Sequence, residues 1–208
     1  MASLSSLNNF TVPLAGNPGQ GQGLLMPKLG YRFRVTLVSF GTNGTASTEL
    51  TKQVIMVDRP KPEFDEIKLD VYNSTVKLAG KHKFGDIKLK VRDDVNNAVS
   101  NLVGEQLQKQ FDFYQQSSAF SGQDYKFFTS IEILDGGNGA FTPQTLEVFQ
   151  LQGCWIKGAQ YSGGDYAKND PLEIELTICF DNAYQTDAAG NLLGFGAAVP
   201  RTAQVSAL

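Results

Sequence analysis

Leu172-Glu173-Ile174-Glu175-Leu176-Thr177-Ile178-Cys179-Phe180 alternates apolar and polar residues along its whole length. Successive side chains of a strand point to opposite faces, so the five apolar residues share one face while Glu173, Glu175, Thr177 and, just beyond, Asp181 share the other. That is the pattern of a half-buried strand in an antiparallel sheet.

Working outward, the same two-residue period appears at Tyr31-Arg32-Phe33-Arg34-Val35-Thr36-Leu37, at Glu66 to Val71 and at Asp86 to Val91. Thr51 to Val57 reads as a strand closed by Asp58-Arg59-Pro60-Lys61-Pro62, where two prolines cannot donate to a ladder. Thr75-Val76-Lys77-Leu78 makes a short strand before Gly80. Tyr125 to Leu134 and Leu146 to Ile156, the latter carrying Cys154-Trp155, complete the set, with turn sequences at Gly136-Gly137-Asn138-Gly139 and Gly163-Gly164-Asp165. The pattern Phe-x-x-Ile-Lys-Leu-x-Val occurs twice, from Phe64 and from Phe84, as two half-buried strands can by chance.

One helix interrupts the strands, expected over about 94–115. Asp93 or Asp94 is placed to cap it, and Val95, Val99, Leu102, Val103, Leu107, Phe111 and Tyr114 recur at steps of three and four as one apolar stripe. The predicted order is five strands, a helix and three strands. It specifies an α+β fold, a mainly antiparallel β-sandwich or partial barrel with one amphipathic helix and extended terminal arms.

The division of the chain follows. Residues 1–30 read as a flexible or partner-docking N-terminal arm, rich in Gly, Ser, Asn and Pro and without a charge before Lys28; its Leu4, Leu7, Phe10, Val12 and Leu14 suit docking onto a neighbour. Residues 31–182 hold nearly all the charge and the regular structure. Residues 183–208 are a C-terminal extension whose only charges are Asp187 and Arg201, while Leu192, Leu193, Phe195 and Val199 need cover.

Of the 208 residues 41% are hydrophobic, enough for a packed core, and the net charge of -3 argues against a protein that grips phosphates. Cys154 and Cys179 sit in apolar strand sequence and read as reduced core thiols. The N-terminus lacks the parts of a secretory signal, and no apolar run is long enough to span a bilayer, so no membrane anchor is expected.

Chemistry is nearly absent from the sequence. The single histidine, His82, reads as a solvated turn residue whose lysine neighbours would fit an inter-subunit contact. No serine sits in a nucleophile elbow, and Gly19-Gln20-Gly21-Gln22-Gly23 has neither the strand before it nor the helix after it that phosphate binding requires. Glu173 and Glu175 emerge together on an exposed face without the apolar pocket a catalytic acid needs. Lys81, Lys83, Lys88, Lys90 and Arg92, interspersed with Asp86, Asp93 and Asp94, form a salt-bridging face. Neither enzyme nor cofactor is expected. A monomeric β-sandwich ligand-binding module, with Trp155 and Tyr161 as a platform, remains an alternative, with Trp155 otherwise a core residue.

The stretch from Thr75 to Asp94, with its basic strand, Ala79-Gly80, polar turn with Phe84, alternating strand and acidic helix start, resembles the tail tube proteins of contractile-tailed bacteriophages. Tyr31 to Val35 after an arm, Phe111-Asp112-Phe113-Tyr114 in mid-chain and Leu151-Gln152-Gly153-Cys154-Trp155-Ile156 before Asn169 to Asp181 follow the order of that family. The resemblance covers about 31–181; the long Gly-rich arm and the C-terminal extension depart from shorter members. Type VI secretion and pyocin tube proteins are similar in fold.

The resemblance implies a structural subunit of a phage tail, assembled in the host cytoplasm into stacked hexameric rings inside a sheath, with tail sheath and baseplate proteins as partners. It implies a lumen that conducts DNA without specific binding. Glu173 and Glu175 are the candidate lumen-facing residues, and Leu4, Leu7, Phe10, Val12 and Leu14 the candidate inter-subunit arm.

Overall fold

A computed structural model describes residues 27–41, 48–136, 142–167 and 169–193. The candidate arm residues Leu4, Leu7, Phe10, Val12 and Leu14 lie outside the described residues, as do Phe195, Val199 and Arg201.

In chain order the elements are β1 (Phe33–Val38), α1 (Thr48–Gln53), β2 (Val54–Val57), β3 (Pro62–Val71), β4 (Ser74–Phe84), β5 (Ile87–Arg92), α2 (Ala98–Gln110), β6 (Phe111–Asp112), β7 (Ser117–Ser118), α3 (Gly122–Tyr125), β8 (Phe127–Leu134), β9 (Thr145–Tyr161), β10 (Glu173–Cys179) and β11 (Asn182–Asp187). The fold is α+β and mainly antiparallel: every strand pairing is antiparallel, and the main sheet runs β1-β8-β9-β10-β5-β2 with β11 also on β9.

β9 organises this sheet. Its first part, to Cys154, lies between β8 and β11; its second part, from Trp155, carries β10, and β5 and β2 continue from there. The change of direction falls at Gly153, whose φ of 67° lies in the left-handed region. A Cβ there would stand 2.2 Å from Asp181 Oδ2, so the corner needs glycine twice over. The Asp181 amide donates to the Gln152 carbonyl (3.0 Å), and Lys126 Nζ reaches the Asp181 carboxylate at 2.5 Å.

One core fills the space between the two halves. Val35, Leu37, Ile131 and Leu151 meet Ile87, Leu89, Val91, Ile174, Leu176 and Ile178, and α2 adds Val99 and Val103. Inside it the Gln106 side chain is fully buried. Its Nε2 donates to the Tyr125 carbonyl (2.6 Å) and its Oε1 accepts from the Gly41 amide (3.0 Å), so one residue satisfies two loops that would otherwise bury polar backbone.

Several expectations are revised. The strand read from Thr51 begins as the short helix α1, whose Leu50 is buried, and becomes extended only at Val54. Helix α2 covers 98–110, not 94–115: Phe111 is already extended (φ -153°), and Val95 and Tyr114 are exposed, off the buried stripe. Asn97, not an aspartate, is the N-cap residue; Asp94 nevertheless accepts from the Val99 amide (3.2 Å), and Asp93 accepts from Ser100 Oγ (2.8 Å). Residues 183–187, read as the start of the C-terminal extension, belong to β11.

The two copies of Phe-x-x-Ile-Lys-Leu-x-Val meet opposite fates. In β5 Ile87, Leu89 and Val91 are buried; in β3 Ile67, Leu69 and Val71 stay open. β3 and β4 pair only with each other among the described residues, as a long hairpin outside the main sheet.

Candidate assembly surfaces

Three surfaces stand out, beginning with the outer face of β5 and β10. Antiparallel neighbours place Glu173 opposite Arg92 and Glu175 opposite Lys90. The long side chains pair diagonally, Lys88 with Glu175 at 2.6 Å and Lys90 with Glu173 at 3.1 Å. The Lys88 hydrogen bond holds the Glu175 carboxyl below its usual range, and Glu175 in turn raises Lys88. Nearby, Asp86 accepts from the Cys179 thiol (2.8 Å) and pairs with Lys157 (2.6 Å), contacts that lower its carboxyl. Of the cations read as a salt-bridging face, Lys83, Lys88 and Lys90 are paired, with Asp65, Glu175 and Glu173 rather than with Asp86, Asp93 or Asp94, and the carboxylates of β10 are matched by cations one strand away.

The second surface consists of sheet edges. Among the described residues β2 carries a neighbour on one side only, and so does the second part of β9. At Ile156 the Gln110 side chain imitates a strand: its Nε2 donates to the Ile156 carbonyl and its Oε1 accepts from the Ile156 amide, both at 2.8 Å. Unpaired edges are templates for another chain.

The third is the hairpin. Every residue of β3 is exposed, and in β4 only Gly80 and Phe84 are partly covered. The register places Ile67 opposite Leu78 and Leu69 opposite Val76, with Val71 beside them, so one face is aliphatic. The other carries Glu66, Lys68, Asp70, Thr75 and Lys77, tied by Lys77 to Glu66 at 3.3 Å and Thr75 to Asp70 at 3.1 Å. The tip is Tyr72-Asn73, with Tyr72 at φ 37° and fully exposed. Lower down the register shifts at Asp65, and Gly80 fits there because a Cβ would meet the Asp65 carbonyl at 2.9 Å. At the base, rings step from Phe64 to His82 (6.5 Å), to Phe84 (5.7 Å) and to Phe180 (5.3 Å), which packs on the core. His82 is therefore a strand residue in an aromatic ladder rather than a turn residue. The sequence marks the middle of both strands, Glu66 to Val71 and Thr75 to Leu78, but the second was read as ending before Gly80, whereas β4 continues to Phe84; alternation alone does not say whose core a face belongs to.

Neither a protein family nor a curated protein matches the chain in sequence. Solved structures do match in fold. A chain from the cryo-EM structure of the anti-feeding prophage cap, which terminates the AFP tube, aligns with a TM-score of 0.58 at 14% identity, covering 84% of this chain and 99% of that one. A chain from the sheath–tube complex of the PVC extracellular contractile injection system aligns at 0.51 and 14% identity, covering 90% and 99%. A chain from the six-fold symmetrised AFP baseplate aligns at 0.53 and 14% identity, covering 79% and 99%. The chain has the fold of contractile injection tube and cap components.

Within this tube fold the described residues offer little for catalysis. A cleft of about 550 Å³ is bordered by Ser39, Lys109, Asp124, Lys126 and Phe128. Lys109 donates to the Ser39 carbonyl (3.4 Å), and Lys126 is held by Asp181. Among the described residues no group of His, Cys, Asp or Glu could hold a metal ion, and no helix is long and apolar enough to cross a membrane. Burial pushes both thiols up to about 11, with Cys154 in the core and Cys179 half-buried on the outer face of β10. Trp155 stands opposite Cys179 and is half-buried rather than core, whereas Tyr161 stands opposite Ile174 on the inner side. The two rings lie on opposite faces of the sheet and form no common platform.

Proposed function

We propose that the chain is a non-enzymatic structural subunit of a tail tube, self-assembling into stacked hexameric rings whose hollow lumen conducts DNA. The hairpin is the observation that carries this reading. A two-stranded hairpin is marginal in water, and this one presents five branched aliphatic side chains to solvent along one face. A second copy of the chain covers that face in an axial stack. The open edges of β2 and of the second part of β9 supply the lateral contacts, each receiving the other edge from a neighbour.

In such a ring every subunit contributes the four-stranded half formed by β9, β10, β5 and β2. Six copies bring 24 strands, which at about 4.8 Å spacing enclose a cylinder roughly 37 Å across at the backbone. Glu173 and Glu175 face the lumen in this arrangement. They act by occupying Lys90 and Lys88, so that the wall has few free cations with which to displace counterions from phosphate. Sheath and baseplate proteins are the expected outer partners, by analogy with the sheath–tube and baseplate assemblies that contain the matching chains. The location is the tail of a virion assembled in the host cytoplasm. The injection-system neighbours favour a second reading, the tube of an extracellular or type VI-like injection system, with the same assembly and a different content.

Negative-stain electron microscopy and sedimentation of the purified full chain test the proposal. Rings with a central hole, stacking with concentration, are expected; a chain that stays monomeric at high concentration refutes it.

A further inference from the structure

We infer that the segment Phe10-Thr11-Val12-Pro13-Leu14 of a second copy adds to the hairpin as a third strand, parallel to β3 along its open edge, an inference that rests on the tube-subunit reading. Phe10, Val12 and Leu14 alternate with the same period and number as Ile67, Leu69 and Val71 on β3. The segment lies in a stretch with no charge before Lys28, so nothing ionised is buried when it docks.

Pro13 fixes the direction. The two-residue turn at Tyr72-Asn73 makes Val71 and Ser74 a hydrogen-bonded pair. Ile67, Leu69 and Val71 therefore turn their amides towards β4, while Lys68 and Asp70 turn theirs to the open edge. In an antiparallel docking with the aliphatic faces aligned, Pro13 stands opposite Lys68 and must donate a hydrogen bond for which it has no N–H. In a parallel docking, Lys68 bonds to Phe10 and Val12, and Asp70 bonds to Val12 and Leu14. Thr11 and Pro13 then face outward, where proline is tolerated. Side-chain parity and proline agree on one register: Phe10 beside Ile67, Val12 beside Leu69, Leu14 beside Val71.

The length of chain favours donation to another copy. Ala15 to Arg32 spans eighteen residues, up to roughly 60 Å when extended. A domain of this size is about 30–40 Å across. The strand can thus be handed past the subunit's own body. Three strands with a shared aliphatic face meet the threshold for stability that two do not.

The test co-assembles two chains, both carrying Cys179→Ser, one with Val12→Cys and the other with Leu69→Cys, followed by mild oxidation. Adjacent strands lie about 4.8 Å apart, inside the Cα–Cα range of about 4.4–6.8 Å that a disulfide bridges. A covalent heterodimer joined at these positions is expected, with Thr11→Cys in place of Val12→Cys giving none, since its side chain points to the charged face. A second pair, Phe10→Cys with Ile67→Cys, guards against local damage at Val12. Rings that assemble while both pairs stay unlinked overturn the strand addition and leave the tube reading standing. Failure of the unaltered chain to form rings overturns both.

Discussion

Leu69→Asp combined with Leu78→Asp separates the folding of the subunit from its assembly. Leu69 and Leu78 are 46% and 49% exposed, on the aliphatic face of the hairpin and away from the main core. In the lone subunit the double change forfeits the half of each leucine that is already covered, so it should cost about 2 kcal/mol, a shift in Tm of roughly 4–8 °C. In the assembly the accounting differs. Covering the remaining half of two leucines contributes about 2 kcal/mol, and drawing two carboxylates into an apolar contact without partners costs several more. The loss is at least about 4 kcal/mol per contact, roughly a thousandfold in association. Sedimentation velocity and electron microscopy across a concentration series should find monomers where the unaltered chain forms stacks, while the subunit still melts cooperatively, lower by no more than roughly 8 °C. Lys77→Ser, which removes only an exposed pair with Glu66 on the charged face, should assemble normally. Stacks from the double variant at the original concentration, or a collapse of its Tm, would refute the assignment of this face to a neighbour.

Four other outcomes follow from particular contacts. Gly153→Ala places a Cβ against Asp181 at the corner of β9, in a left-handed conformation, and should cost about 2–3 kcal/mol, read as a Tm lower by roughly 4–12 °C. Gln106→Leu strands the Gly41 amide and the Tyr125 carbonyl; a loss of about 2–4 kcal/mol is expected in urea unfolding, and a change under 0.5 kcal/mol would count against the polar pin. The Cys154 thiol is pushed up to about 11 by burial, whereas an unfolded thiol ionises near about 8.5. Unfolding therefore releases a proton between those values, and stability should fall as pH rises from about 8.5 towards 11; urea midpoints that stay flat in Cys154-containing chain, or that fall equally in Cys154→Ala, would contradict this. Glu173→Lys with Glu175→Lys frees Lys90 and Lys88 and adds two cations per subunit, so assembled tubes should retain DNA in a strongly salt-dependent way, and tubes that ignore DNA at low salt would remove these residues from the lumen.

The parts of the fold written in local alternation were legible in the sequence. β10 and β5 carry a clean two-residue period, and each buries the face that the period singles out, whereas β8 was marked only by its aromatic and β-branched residues, with Phe128 and Leu134 on its outer face and Thr129 buried. α1 was hidden because a single helical turn and a half, Thr-Glu-Leu-Thr-Lys-Gln, runs straight into the β-branched Val54-Ile55, and only Leu50 reports its burial. The early end of α2 was hidden because Phe111 and Tyr114 continue the helical spacing while their backbone has already become extended. Glu173 and Glu175 were legible as neighbours on one face, but their lysine partners lie more than eighty residues away in sequence and are joined to them only by the β5–β10 register.

The deepest ambiguity is also the most informative. Ile87-Lys88-Leu89 and Ile67-Lys68-Leu69 are the same tripeptide in the same local pattern, and the first packs its aliphatic residues into the subunit's own core while the second, among the described residues, leaves them exposed. Propensity and period cannot separate them, because both segments want one dry face. What separates them is connection: β5 lies between β2 and β10, whereas β3, among the described residues, has only β4. A chain that spends equal hydrophobic patterning on a covered and an uncovered strand leaves part of its folding free energy to be collected on association. The hairpin of the isolated subunit should then exchange its amides quickly, and the main sheet slowly, with the difference narrowing on assembly. If β3 and β4 are as protected in the monomer as β5 and β10, the hairpin is self-sufficient and its aliphatic face has lost its reason to seek a second copy.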